Sequence, residues 1–165
     1  MQASRKIAIL VGSLLAVPSM FAAATATDTD KAFVAKVSQG GAYEVAASKL
    51  AETRAQAMDV KDLAMAEVHD HEGVGMRLKA LAASSGAPMS PVLNAEFKSR
   101  LEKLKAVSAA DFDAAYIADM EQIHDNDEKL FAAEANDGSP AYKPFAHQTD
   151  LIVKRHIGAL HGLDH

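Results

Sequence analysis

Apolar residues in this chain recur three or four positions apart, and no segment alternates apolar and polar residues with β-branched enrichment. That spacing places them on one stripe of an α-helix and argues against sheet. Glycine- and proline-rich stretches divide the pattern into four long helices and a shorter one. The first long helix is expected at residues 30–56, capped by Thr29 or Asp28, with the stripe Phe33, Val37, Gly40, Glu44, Ala47 and Ala51. The second is expected at 60–83, with Asp59 and Asp62 at the spacing of a capping box. Its stripe is Leu63, Glu67, His71, Val74, Leu78 and Leu81. After "SSGAPMSP" comes the shorter helix, 92–106, with Leu93, Phe97, Leu101 and Leu104 on one side. Lys98, Arg100, Glu102, Lys103 and Lys105 form a solvated face on the other. The third long helix starts after Ser108, with Asp111 as a second capping-box partner, and ends near Ala135 at "NDGSP". It carries Asp113, Tyr116, Ile117, Met120, His124, Asp127 and Phe131 on its stripe. The fourth begins between Pro140 and Pro144 and ends near Gly162, with Phe145, Thr149, Ile152, His156, Ala159 and Leu163 inward. Gly40 and Gly41 are costly inside a helix and mark a kink or a close approach to a neighbour. Met65 and Met120 are expected in the core.

Short links make the first two helices one antiparallel hairpin and the last two another. The link between the hairpins is long and carries its own helix. An all-α, ferritin-like four-helix bundle with a long central crossover follows from that connectivity.

Each long helix breaks its apolar stripe with an ionisable group. Glu44 does so in the first, Glu67 and His71 in the second, His124 and Asp127 in the third, and His156 in the fourth. Buried groups of this kind are unfavourable unless paired, hydrogen-bonded or bound to metal. Four helices making the same departure point to one shared site. Counting outward from the first hairpin puts Glu44 and His71 at the same depth. The second hairpin brings His124 and His156 level if Pro144 opens the last helix. Glu44, His71, His124 and His156 are the candidate ligands of a divalent transition metal such as iron, manganese or zinc. Glu67, Asp70 and Asp127 are candidates to hold the ligands in place from behind. The competing reading is a metal-free envelope protein in which the same groups form a hydrogen-bonded core network that fixes helix register. Tyr116, one turn from Met120 and two from His124, would lie near such a site, but no residue is assigned a catalytic role. His69 points about 160° away from His71 on a helix and belongs in solvent. His147 lies off the stripe, and His161 and His165 suit the negative end of the last helix.

The first 26 residues differ from the rest. Arg5 and Lys6 precede the uncharged run "IAILVGSLLAVPSMFAAA", and "ATA" supplies small residues for a peptidase. That is the layout of a cleaved signal peptide, leaving residues 27–165 as one helical domain in the periplasm or secreted. The chain has no cysteine, so disulfides are excluded and stability rests on packing. Its net charge is −5, and losing Arg5 and Lys6 would make it more acidic. With no basic block, nucleic acid is not an expected partner. Without the leader no stable membrane insertion is expected, and no amphipathic strands suggest a barrel. The sequence specifies neither a protein partner nor an oligomeric state.

"AYEVAASKLA", "VKDLAMAEVHDH" and "FDAAYIADMEQIH" resemble segments of a large bacterial family of exported proteins with a domain of unknown function, often labelled outer-membrane proteins. The resemblance runs over residues 28–163. Its most specific pieces are Glu44 in "YEV", Asp70–His71, Phe112–Asp113 with Tyr116, and His124; His156 matches a histidine of the family's last helix. Asp150–Leu151 stand where the family usually carries Leu-Pro. The resemblance implies a ferritin-like fold and export, and no activity. The di-iron ferritin pattern, with Glu-x-x-His on two helices, is not met, because the last helix lacks it altogether.

Overall fold

The computed structural model describes residues 25–163. The expected leader, apart from Thr25 and Ala26, lies outside the described residues, as do Asp164 and His165. The described residues form five helices and no strand: α1 (Asp28–Arg54), α2 (Met58–Ser85), α3 (Ala95–Ala106), α4 (Phe112–Asp137) and α5 (Lys143–Leu160). None of these helices is long and apolar enough to cross a membrane.

Local chemistry sets the helix ends. Thr27, not Thr29 or Asp28, caps α1, in a reciprocal box with Asp30. The expected box at Asp59 and Asp62 does not form; α2 has no side-chain cap of its own. The carboxylate of Asp113, at the start of α4, accepts from the backbone N–H groups of Gln56 and Ala57 at 3.0 and 2.8 Å. One acid of the "FDAAY" segment thus closes the α1–α2 turn. Gly86, at φ +72°, ends α2 in the left-handed conformation that glycine adopts most cheaply. Asn94 caps α3, three residues later than the periodicity suggested. Ser108 and Asp111 do bond reciprocally, but they shape the turn before α4.

The α1–α2 and α4–α5 pairs pack most extensively, and α1 against α4 and α2 against α5 complete the helical bundle. The small helix α3 lies on α1 and α4. Two apolar clusters fill the interior. One, around Tyr43, Leu63, Phe112, Tyr116 and Met120, lies beside the α1–α2 turn. The other, around Phe33, Leu78, Phe131 and Tyr142, fills the opposite end. Between them lie Glu44, Glu67, His71, His124 and His156.

Some details depart from the periodicity. α1 runs uninterrupted through Gly40 and Gly41, where an added Cβ would meet nothing within 4 Å, so neither glycine serves a close approach. Met65 is 51% exposed, whereas Met120 is fully buried. In α5 the buried set is Ala146, Thr149, Asp150, Val153, His156 and Leu160. The expected stripe was therefore rotated at Ile152 and Ala159. The α3 charged face is not all solvated: Arg100 forms a two-pronged pair with Asp119 Oδ1, at 2.7 and 2.9 Å, and lies over the Tyr43 ring. Tyr43 in turn donates to Asp119.

Candidate metal centre

Helical spacing brings Glu67 and His71 one turn apart on α2, and the packed pairs add Glu44 from α1, His124 from α4 and His156 from α5. All five are 5% exposed or less. Glu67 stands at the centre. Its carboxylate lies 3.1 Å from His71 Nε2, 3.3 Å from His124 Nε2 and 3.0 Å from His156 Nδ1. One donor atom from each of these four residues lies within 4.8 Å of the others, so the group could hold a metal ion.

Two of the three ring nitrogens facing away from this centre have a hydrogen-bond acceptor, and the third has a carboxylate beside it. His71 Nδ1 faces Glu44 Oε2 at 3.3 Å. His124 Nδ1 bonds the Met120 carbonyl at 2.9 Å, which comes from the same helix four residues back. His156 Nε2 bonds Asp70 Oδ2 at 2.8 Å. A carbonyl can only accept, so His124 Nδ1 carries a hydrogen, and its inner Nε2 presents a lone pair in the neutral ring. The same logic at Asp70 leaves the inner Nδ1 of neutral His156 as a lone pair. These two inner nitrogens are 3.2 Å apart. The Glu67 oxygens and His71 Nε2 find no hydrogen bond of good geometry, and neither do the Glu44 oxygens. The donors therefore point at a common region more than at each other.

The charges are strongly coupled. Burial opposes ionisation of Glu67, but the three imidazoles outweigh it and hold its carboxyl well below the usual range. Burial likewise opposes charging His71, yet Glu44 and Glu67 raise its pKa; His124 is pushed up to about 9 by the same carboxylates. Asp70, despite some burial, is held low by His156 and Arg155. Asp127 is raised by burial and by the adjacent Glu44 carboxylate.

The depth count from the sequence is matched in both hairpins, as Glu44 meets His71 and His124 meets His156. The roles of the two glutamates differ from the expectation. Glu67, assigned a place behind the ligands, stands among the three imidazoles, whereas Glu44, assigned as a ligand, lies beyond His71 and 3.8 Å from His124 Nε2. Asp70 does sit behind His156. Asp127 lies against Glu44 and away from the imidazoles' outer nitrogens. His69, His147 and His161 are exposed. Sequence reasoning missed Arg155, which pairs with Asp70 on the outer side of the site. Its position beside His156 was the available signal. Tyr116 is buried, bonded to Ser48 Oγ at 2.9 Å, and kept protonated by burial and the Glu67 charge.

The chain is similar in structure to a crystallised DUF305 fragment from Deinococcus radiodurans, with a TM-score of 0.75 over 84% of this chain and 96% of that one. At 16% identity that likeness speaks to the helical fold alone. No curated protein matches the chain. Residues 15–163 match a family described as a domain of unknown function, DUF4142, and with nearly the whole chain matched, the protein belongs to that family.

Proposed function

We propose that this is an exported, periplasmic protein whose ferritin-like four-helix bundle binds one divalent transition metal ion, with a role in buffering, sensing or carrying it. Glu67, His71, His124 and His156 supply the donors. Three imidazoles and one carboxylate suit zinc, iron or manganese. The Met120 carbonyl and Asp70 orient two of the rings by holding their outer nitrogens.

The observation that carries this reading is the convergence of buried donors around Glu67, with outer partners that fix the tautomers of two rings. With both rings neutral, two inner lone pairs 3.2 Å apart repel unless a proton or a metal ion lies between them. A divalent ion takes both, and its charge offsets the Glu67 carboxylate among them. Export rests on the charged start, the apolar run and the small residues before Thr27.

The same 3.2 Å contact favours one alternative, a proton shared between His124 and His156 in a metal-free network. Elemental analysis of protein purified without a His tag separates the two. The metal reading expects one equivalent of metal, lost in His71→Ala while helicity is kept, and a melting temperature that drops with chelator. Metal-free protein whose melting ignores chelator supports the proton network instead.

A further inference from the structure

Next to the histidine cluster, α1, α2, α4 and the crossover line a partly open cavity of about 260 Å³. Val37, Val45, Val74 and Phe131 form apolar walls, and Gly41 and Gly75 leave the helix backbones bare to it. A Cβ added at either glycine would meet nothing within 4 Å. The crossover lies beside this space, tied to α1 where Ser38 Oγ donates to the Ser90 carbonyl at 3.1 Å.

The cavity's ionisable lining is different in kind: Glu44, His71 and Asp127. Glu44 is 1% exposed, and neither of its oxygens has a hydrogen-bond partner. Its nearest ring nitrogens, on His71 and His124, belong to the cluster. Asp127 adds a second carboxylate to the same lining. A buried carboxylate with unmet acceptors is unfavourable until a cation or donor reaches it. A hydrated inorganic ion would answer the carboxylates but gain nothing from the apolar walls. An uncharged apolar molecule would fill the walls and leave the carboxylates unpaired.

We propose that this cavity binds a small organic ammonium, its cationic head on Glu44 and Asp127 and its apolar body against Val45, Val74 and Phe131. A few polar groups at one end of an apolar pocket are the usual arrangement for orienting such a ligand. The proposal stands on the cavity and its carboxylates and does not require a metal at the cluster.

Calorimetric titration of the mature protein with benzylamine, benzyl alcohol and benzoate tests it. Benzylamine is expected to saturate at one per chain, benzyl alcohol to bind at least about tenfold more weakly, and benzoate not to bind. Gly75→Leu, which fills the space from a position with room for a side chain, is expected to abolish benzylamine binding while the protein's metal content and helicity stay at the wild-type level. Gly41→Leu is the second variant should the first not fold. Asp127→Asn is expected to weaken benzylamine by about tenfold. Absence of saturable benzylamine binding, equal binding of the alcohol, or benzylamine binding unchanged in the filled variant would overturn the proposal. So would loss of a second bound metal equivalent in Asp127→Asn, which would make the carboxylate pair an inorganic cation site. Failure of the metal reading would appear separately, as absent metal in wild-type protein that still binds benzylamine.

Discussion

Replacing Asp70 by Asn removes a charge behind the proposed centre without removing a donor. Asp70 Oδ2 is 2.8 Å from His156 Nε2 and also pairs with Arg155. The carboxylate accepts only, so it fixes the hydrogen on Nε2 and leaves Nδ1 for the ion. An asparagine can turn its NH₂ toward the ring and favour the wrong tautomer, and it brings no negative charge to offset the ion. Loss of such an outer partner typically weakens metal binding about 10–100-fold, or about 1.4–2.8 kcal/mol. The neighbouring histidines calibrate the effect. His69 is exposed, so His69→Ala should leave affinity unchanged; His71→Ala deletes a donor and should cost more than Asp70→Asn. Zinc affinity is measured by competition with a chromophoric chelator, and cobalt(II) absorption reports the coordination. Asp70→Asn binding zinc within about twofold of wild type, against the 10–100-fold norm for such partners, would refute the reasoning, as would an equal loss in His69→Ala.

Four further predictions concern the frame around the site. Glu134, buried beside Asp30, has its pKa pushed up to about 7, first by burial and then by the Asp30 carboxylate. Between the unfolded value near 4.5 and 7 the native state holds a proton that the unfolded chain has released, so stability falls as pH rises through that window. Glu134→Gln should lack this dependence, so urea denaturation across the window should show the stability difference between variant and wild type changing with pH. Asp30, lowered to about 2, contributes stability above pH 4 that disappears below that window, as pH falls toward 2. Gly138→Ala should destabilise by about 1–3 kcal/mol in urea unfolding, because its Cβ would lie 2.5 Å from the Glu134 backbone oxygen. Asp113→Ala should cost about 1–2 kcal/mol by freeing the N–H groups of Gln56 and Ala57, with Asp113→Asn recovering part of the loss.

Periodicity and breakers sufficed to locate five helices and to set Glu44 opposite His71, because a short link leaves little freedom of depth along a hairpin. They did not distinguish Glu67 from Glu44, since both lie on inward stripes and the choice depends on how the helix pairs meet. The last helix shows the same limit in one dimension. Two prolines offered two starting points, and the rotation that buries Val153 and Leu160 in place of Ile152 and Ala159 is decided by packing on α2 and α4. Arg100, Asp119 and Tyr43 looked like unrelated surface and core residues. Their pairing spans 19 and 76 positions, and no local pattern announces it. Asp113 sat on the expected inward stripe with no role assigned, and it caps a turn more than fifty positions upstream.

Native mass spectrometry of the mature, tag-free protein tests the central claim most directly, because it reports bound mass and assembly together. The account predicts one divalent transition metal ion per chain, absent from the His71→Ala and His124→Ala proteins under the same conditions. Wild-type protein that stays at its metal-free mass after exposure to zinc, manganese and iron(II), with the fold intact, would contradict it.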